Sequence, residues 1–184
     1  TPVSFRSRLL RVTWVDSEND NKSEERYGFL IEHKNEVSQR VGMEDPAIQR
    51  ASYDDLDPGQ AAIAAVFEYM IGNTDFSMVA GPANEGCCHN GILLRRDDGR
   101  IFFAPYDFDM AGIVDAPYAE PNPRFDLRSV TSRLYRGNCR FNPQLDDTVA
   151  LYLDKRDEVL ALVDTQEGLA DRDRRVVRRF LERF

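Results

Sequence analysis

Two short apolar runs, Ile92-Leu93-Leu94 and Ile101-Phe102-Phe103, flank Asp97-Asp98-Gly99. Asp-Gly between such runs is a hairpin signal, because glycine takes the positive φ that a tight turn needs. An antiparallel pair puts the start of one strand beside the end of the next. Asn90, before the first run, and Asp107, after the second, therefore fall at the same end. Asp107 and Asp109 flank Phe108 there, and in extended chain residues i and i+2 point to one face.

Upstream, Asp57-Pro58 opens a helix over Pro58 to Ile71. Asp57 serves as N-cap, Pro58 sits at the first helical position, and Gly72-Asn73 ends it. Ile63, Val66, Phe67, Met70 and Ile71 recur at helical spacing. An irregular segment with Asp75 follows, on a loop of the kind that carries chemistry. Earlier, Arg8 to Val15 and Tyr27 to Glu32 read as strands joined through the polar run Asp16 to Glu25. Asn35 is the expected N-cap of a short helix ending at Val41. Two helices, Pro143 to Val163 and Leu169 to Phe184, are expected to close the chain. Strands and helices are segregated, so the class is α+β with no βαβ repeat.

The 184 residues suit one domain with a core, or most of one lobe of something larger. Net charge is −8, which argues against a nucleic-acid partner; the basic stretch 172–183 has interleaved acids and apolar residues and reads as an amphipathic helix. No apolar run reaches membrane-span length. Thr1-Pro2 begins without Met or a signal-peptide core, the expectation for an excised piece. The three cysteines form no CxxC pair, which disfavours zinc. Either all are free, or Cys139 bridges Cys87 or Cys88.

Magnesium takes oxygen ligands, one or two of them carboxylates, with phosphates and waters completing the octahedron. Asp107 and Asp109 are such carboxylates, and Asn90 adds an amide oxygen. The bland alternative for Asp-Phe-Asp is a turn capped by its own side chains. His89 reads as a loop residue with a hydrogen-bonded ring. Tyr106 and Phe108 read as packing. Tyr118, Arg133, Tyr135 and Arg136 could meet substrate, but solvated or paired roles are commoner for arginines.

The segments "IGNTDFS", "HN" and "PYDFDMAG" resemble the atypical kinases of the spore-coat CotH family and bacterial relatives, and share a general plan with HipA and secretory-pathway kinases. The match covers Met70 to Gly112. The resemblance implies a protein-kinase-like fold, mainly the helical C-terminal lobe plus a short strand pair. It divides the single domain into a hinge-like part (1–33) and a lobe-like part (34–184). It implies Asp75 as the catalytic-loop Asp, Asn90 and Asp107 as metal ligands, and Asp109 as a second carboxylate ligand, with Mg2+ or Mn2+ and ATP as cofactors. "YGFLIEHKNEVSQRVG" looks like the last N-lobe strand, hinge and first C-lobe helix, so Glu32, His33 and Lys34 would offer backbone groups along the adenine edge.

The departures are specific. Asp75 and Asn90 are 15 residues apart, whereas a kinase catalytic loop separates them by about five. Asp109 stands where Asp-Phe-Gly has glycine. No His-Arg-Asp and no G-x-G-x-x-G occur. The lysines are Lys22, Lys34 and Lys155, none in a strand interior, so either the first strands of the N-lobe and their helix are missing from this chain or the protein lacks that machinery. Three functions follow: a kinase-like phosphotransferase using Mg-ATP on an unknown protein or small-molecule acceptor; a non-catalytic kinase-like module that binds a metal or nucleotide or serves a cell-envelope or coat assembly; or a metal-dependent hydrolase with Asp75 as base.

Overall fold

The computed structural model describes residues 3–18 and 22–184. Residues 1 and 2 and part of the Asp16 to Glu25 run lie outside them. Strands β1 (Ser7–Val15) and β2 (Ser23–Ile31) pair antiparallel, with Leu10 opposite Gly28. The second strand starts earlier than expected and takes Ser23 to Glu25 out of the polar run. Helix α1 (Lys34–Val41) is capped by His33, whose Nδ1 accepts from the Asn35 N–H, so Asn35 is inside the helix and is not its cap. An imidazole nitrogen can accept that bond as a carboxyl oxygen would.

Helix α2 runs Pro58–Ile71, where its punctuation placed it. The Asp57 carboxylate accepts from the Gln60 N–H. At the far end Gly72 adopts the left-handed conformation at φ 70°. A Cβ there would sit 2.9 Å from the Phe180 ring, so space as well as φ demands glycine. Strands β3 (Gly91–Arg95) and β4 (Ile101–Pro105) form the expected hairpin, with Leu93 opposite Phe103.

This hairpin is covered on both faces. Leu93, Ile101 and Phe103 pack with Ala61, Ala64 and Ala65 of α2. Leu94, Phe102 and Ala104 turn the other way, onto Val37 of α1 and Val3. The alternation of the pleat thus feeds two cores from one pair of strands. Gln60 locks α2 to β4. Its Nε2 donates to the Phe103 carbonyl and its Oε1 accepts from the Phe103 N–H at 3.0 Å. A buried amide satisfied at both ends fixes register as well as distance.

The expected helix Pro143 to Val163 is broken. A 3-10 turn (Cys139–Gln144) leads into α3 (Leu145–Asp154) and α4 (Arg156–Thr165), with Lys155 out of helical geometry. The two pieces answer to different neighbours. The Tyr152 hydroxyl donates to the Ile63 carbonyl of α2, while Leu160 packs with Met70, Ile71 and Leu181. Tertiary packing overrides a continuous helical propensity here. Helix α5 (Asp171–Glu182) closes the chain. Among the described residues no helix is long and apolar enough to cross a membrane.

Candidate functional site

The site collects where α2 ends and the β3–β4 hairpin begins and ends. Asn73 follows the Gly72 cap, and its Oδ1 accepts from the Asp75 N–H at 2.8 Å. This Asx-type turn presents the Asp75 side chain. The chain then leaves in a long excursion and returns. The Ser77 N–H meets the His89 carbonyl at 3.0 Å, which closes the excursion at its neck. Met78 is buried in the core, and Cys87 and Cys88 pack against it, so the insert is anchored at both ends.

That closure resolves the 15-residue separation. The Asn90 Nδ2 donates to the Asp75 carbonyl at 2.6 Å and to its carboxylate at 3.0 Å. His89 Nε2 lies 3.0 Å from the other carboxylate oxygen of Asp75. Asn90 also receives the Tyr106 N–H on its carbonyl at 3.1 Å, which seats it beside Asp107. Asn90 and Asp107 have φ of 52° and 60°. Asn and Asp tolerate the left-handed region better than most residues, and such conformations concentrate at functional sites.

The Asp107 carboxyl is pushed above the usual carboxylate range. Desolvation is the first cause, although the residue as a whole is exposed at the rim. The charges of Asp109 and Asp75 follow, and a hydrogen bond with Asp109 adds to them. The Tyr118 hydroxyl is pushed up chiefly by the charge of Asp109. Asp75, Asp107 and Asp109 therefore share one patch of negative potential, and among the described residues its one side-chain ion-pair partner is His89. Uncompensated carboxylates of this kind are a fit for a hard cation whose remaining ligands are phosphate and water. Among the described residues no three His, Cys, Asp or Glu side chains are already arranged around a metal position.

Asp107 and Asp109 lie on the wall of a cleft of about 700 Å³. Its other walls are largely apolar, with Phe29 and Ile31 of β2, Ile63 and Phe67 of α2, and Tyr152, and carry Ser4, Ser7 and Gln60 as polar members. A second hollow of about 220 Å³ is lined by Asp75 with Thr74, Met110 and the 120–123 segment.

Glu32, His33 and Lys34 are not brought to this cleft. The Glu32 carboxylate is taken by Arg40 at 2.9 and 2.8 Å and by the Arg6 N–H at 3.1 Å. His33 caps α1, and Lys34 pairs with Asp45 at 3.2 Å. Lys34 lines a separate depression of about 70 Å³ with Ile92 and Cys87.

The arginines singled out are structural. Arg133 donates to the Met70 and Phe180 carbonyls, and Arg136 to those of Thr74 and Phe76. Both guanidinium groups are engaged by backbone carbonyls. Tyr106 and Phe108 pack edge-on against Phe5 and Phe67. The cysteine expectation needs correction on both its branches. Cys87 and Cys88 are joined to each other, and Cys139 is a free thiol exposed at the start of the 3-10 turn. The expected ring hydrogen bond of His89 goes to Asp75, a role its sequence position before Asn90 hints at. Asn73 and the buried Glu68 beneath it carried no motif.

No protein-family model matches the chain, and neither a curated protein nor a solved structure matches it.

Proposed function

We propose that this chain is a kinase-like phosphotransferase domain, or part of one, that uses Mg-ATP. One observation carries the reading: Asp75 and Asn90, 15 positions apart, are hydrogen-bonded at the end of the hairpin whose exit bears Asp107 and Asp109. A catalytic-loop Asp, a metal Asn and a metal Asp in that order and that proximity are the working parts of phosphoryl transfer. The magnesium ion, when bound, neutralises charge developing on the phosphates. Asp107, Asp109 and the Asn90 amide oxygen are the groups that would hold it.

Asp75 supplies the base. One of its oxygens is oriented by Asn90 and the other faces His89, so the carboxylate is fixed in rotation. An acceptor hydroxyl arriving from the side of the smaller hollow meets Asp75 and gives up its proton there. The acceptor's chemical identity is open to a protein or a small molecule.

A second reading has its own support. Lys34 is paired with Asp45, Lys155 with Glu158 and Asp154, and Lys22 is exposed beside the start of β2. None reaches the acidic patch to hold ATP phosphates as the kinase strand lysine does. That favours a module that binds nucleotide or metal without transfer.

The deciding assay follows γ-phosphate release and transfer from ATP with magnesium or manganese, in the chain and in Asp75→Asn. Loss of a general base lowers turnover by roughly 10²–10⁴-fold. Full turnover in Asp75→Asn contradicts the catalytic reading. Nucleotide binding with no turnover in the unmodified chain supports the second.

A further inference from the structure

Glu68 sits in the last turn of α2 with no solvent exposure. It is the one buried residue with an ionisable side chain among the described residues; the other buried polar residues are Gln60, Asn73, Thr74 and Thr148. Neither of its carboxyl oxygens has a hydrogen-bond partner, and the Asn73 Nδ2 has none either. An unsatisfied buried carboxyl is costly for folding, and an apolar residue of similar volume would serve a helix interior better. A group of this kind calls for a role outside packing.

Its position supplies one. The Glu68 backbone carbonyl accepts the Asn73 N–H at 2.8 Å. Asn73 in turn accepts the Asp75 N–H. On the other side, Arg136 donates to the carbonyls of Thr74 at 2.7 Å and Phe76 at 2.6 Å, the residues on either side of Asp75. The turn bearing Asp75 is thus held by the Asn73 and Arg136 clamps, alongside the Asn90 bonds to Asp75 and the Asn122 bond to the Thr74 carbonyl. The Glu68 carboxyl lies close enough to both for each to favour its charged form, though it bonds neither.

We propose that Glu68 is a positioning residue for Asp75, its proton keeping the Asn73 and Arg136 clamps seated on the turn. The assignment of Asp75 as a base is the premise taken from the proposed function. With the proton in place the carboxyl is neutral, and Arg136 donates through Nη1 to the Thr74 and Phe76 carbonyls. Once the proton leaves, a buried carboxylate attracts the Arg136 guanidinium and the Asn73 Nδ2, and draws both side chains away from the turn. The turn is then loosened from both sides. The charges facing this centre are few. Arg136 comes from the 133–137 segment, and Tyr152 comes from α3, its hydroxyl pushed up first by burial and then by Glu68. Arg136 itself faces Asp75, Arg124 and Tyr53.

Desolvation pushes the Glu68 carboxyl up from 4.5 to about 8, against the opposing pull of Asn73 and Arg136. The folded chain therefore binds this proton more tightly than the unfolded chain. Its contribution is favourable below about pH 4.5 and is lost progressively as pH rises towards 8. Near neutrality the proton is still largely in place, and the clamps release on the alkaline side.

The test reads the Asp75 amide directly by hydrogen exchange in the whole chain between pH 7 and 9. Its N–H is the one that Asn73 accepts. After correction for the intrinsic rate, protection of the Asp75 amide should fall roughly tenfold across this range and stay well below that of the Phe103 amide, which follows the global stability lost with the same proton. Glu68→Gln, and Glu68→Met as a second variant, should flatten the Asp75 profile. An unchanged fall in these variants overturns the proposal, as does an Asp75 protection equal to that of Phe103 throughout, which would make the loss one of the whole fold and not of the turn. The readout needs no turnover, so a chain that fails to transfer phosphate would end the functional premise without hiding the answer about Glu68. In an active chain the alkaline loss should appear in kcat with KM for ATP unmoved, and should disappear in Glu68→Gln.

Discussion

The β1–β2 hairpin leaves Trp14 64%, Phe29 68% and Leu30 62% exposed, whereas the β3–β4 hairpin buries Leu94 to 1% and Phe103 to 0%. Both are antiparallel pairs rich in β-branched and aromatic residues. The difference lies in what surrounds them. The shorter pair has α2 on one face and α1 with Val3 on the other. The longer pair turns Phe29 and Ile31 towards the large cleft beside Asp107, sets the Tyr27 ring beside Gly168, and leaves most of its other residues exposed. Strand propensity records fitness for a pleated surface; it does not say which surface will be covered. The acidic site grows from the buried hairpin, because two covered faces fix where Asn90 and Asp107 emerge.

The comparison can be broken most forcefully at its two phenylalanines. Phe103→Ala should cost about 3–5 kcal/mol, the range for emptying an aromatic site in a core. Phe29→Ala should stay within about 0.5 kcal/mol, as for a surface change. Chemical denaturation of both variants reads the contrast. Equal losses would mean that the outer hairpin is as firmly packed as the inner one.

A smaller effect should appear at the base of the outer hairpin, where Glu32 follows β2 and is bonded by Arg40 of α1 and by the Arg6 N–H. Those bonds, the Arg40 side-chain bonds foremost, hold the Glu32 carboxyl down at about 2 from 4.5. A depressed carboxyl stabilises the fold above the unfolded value and stops doing so as pH falls through the folded one. The hairpin should therefore loosen between about pH 4.5 and 2. Fluorescence of Trp14, the single tryptophan, reports it. Glu32→Gln should shift less with acid over that window, and an acid profile identical to the unmodified chain would show that the Arg40 bond does not hold the hairpin.

What the sequence revealed follows the same divide. Helix α2 was legible to its ends because Asp57-Pro58 and Gly72 act through local backbone chemistry. The β3–β4 pair was legible because Asp98-Gly99 sets its turn. The Asp75–Asn90 bond could only be expected through a resemblance, since nothing local says that a chain leaving at Ser77 returns at His89. The break at Lys155 was hidden because it depends on what each half of the helix packs against. The His33 cap and the Cys87–Cys88 link are local, but an imidazole cap and a bond between adjacent cysteines are uncommon choices. Glu68 was hidden because a lone Glu in an alanine-rich helix looks like any solvated position until the covering segments are placed.

The central claim is that Asp107, Asp109 and Asn90 form a cation site that acts with nucleotide. Thermal unfolding with magnesium and ATP, in the unmodified chain and in Asp107→Asn, tests it most directly. Ligand binding to the native state alone stabilises by ~2.7 kcal/mol at a hundredfold excess over Kd. For a chain of this size that raises Tm by about 5–10 °C. The account predicts this rise in the unmodified chain and its near-complete loss in Asp107→Asn. A rise of equal size in Asp107→Asn would contradict it, and would make Asp-Phe-Asp a turn held by its own side chains.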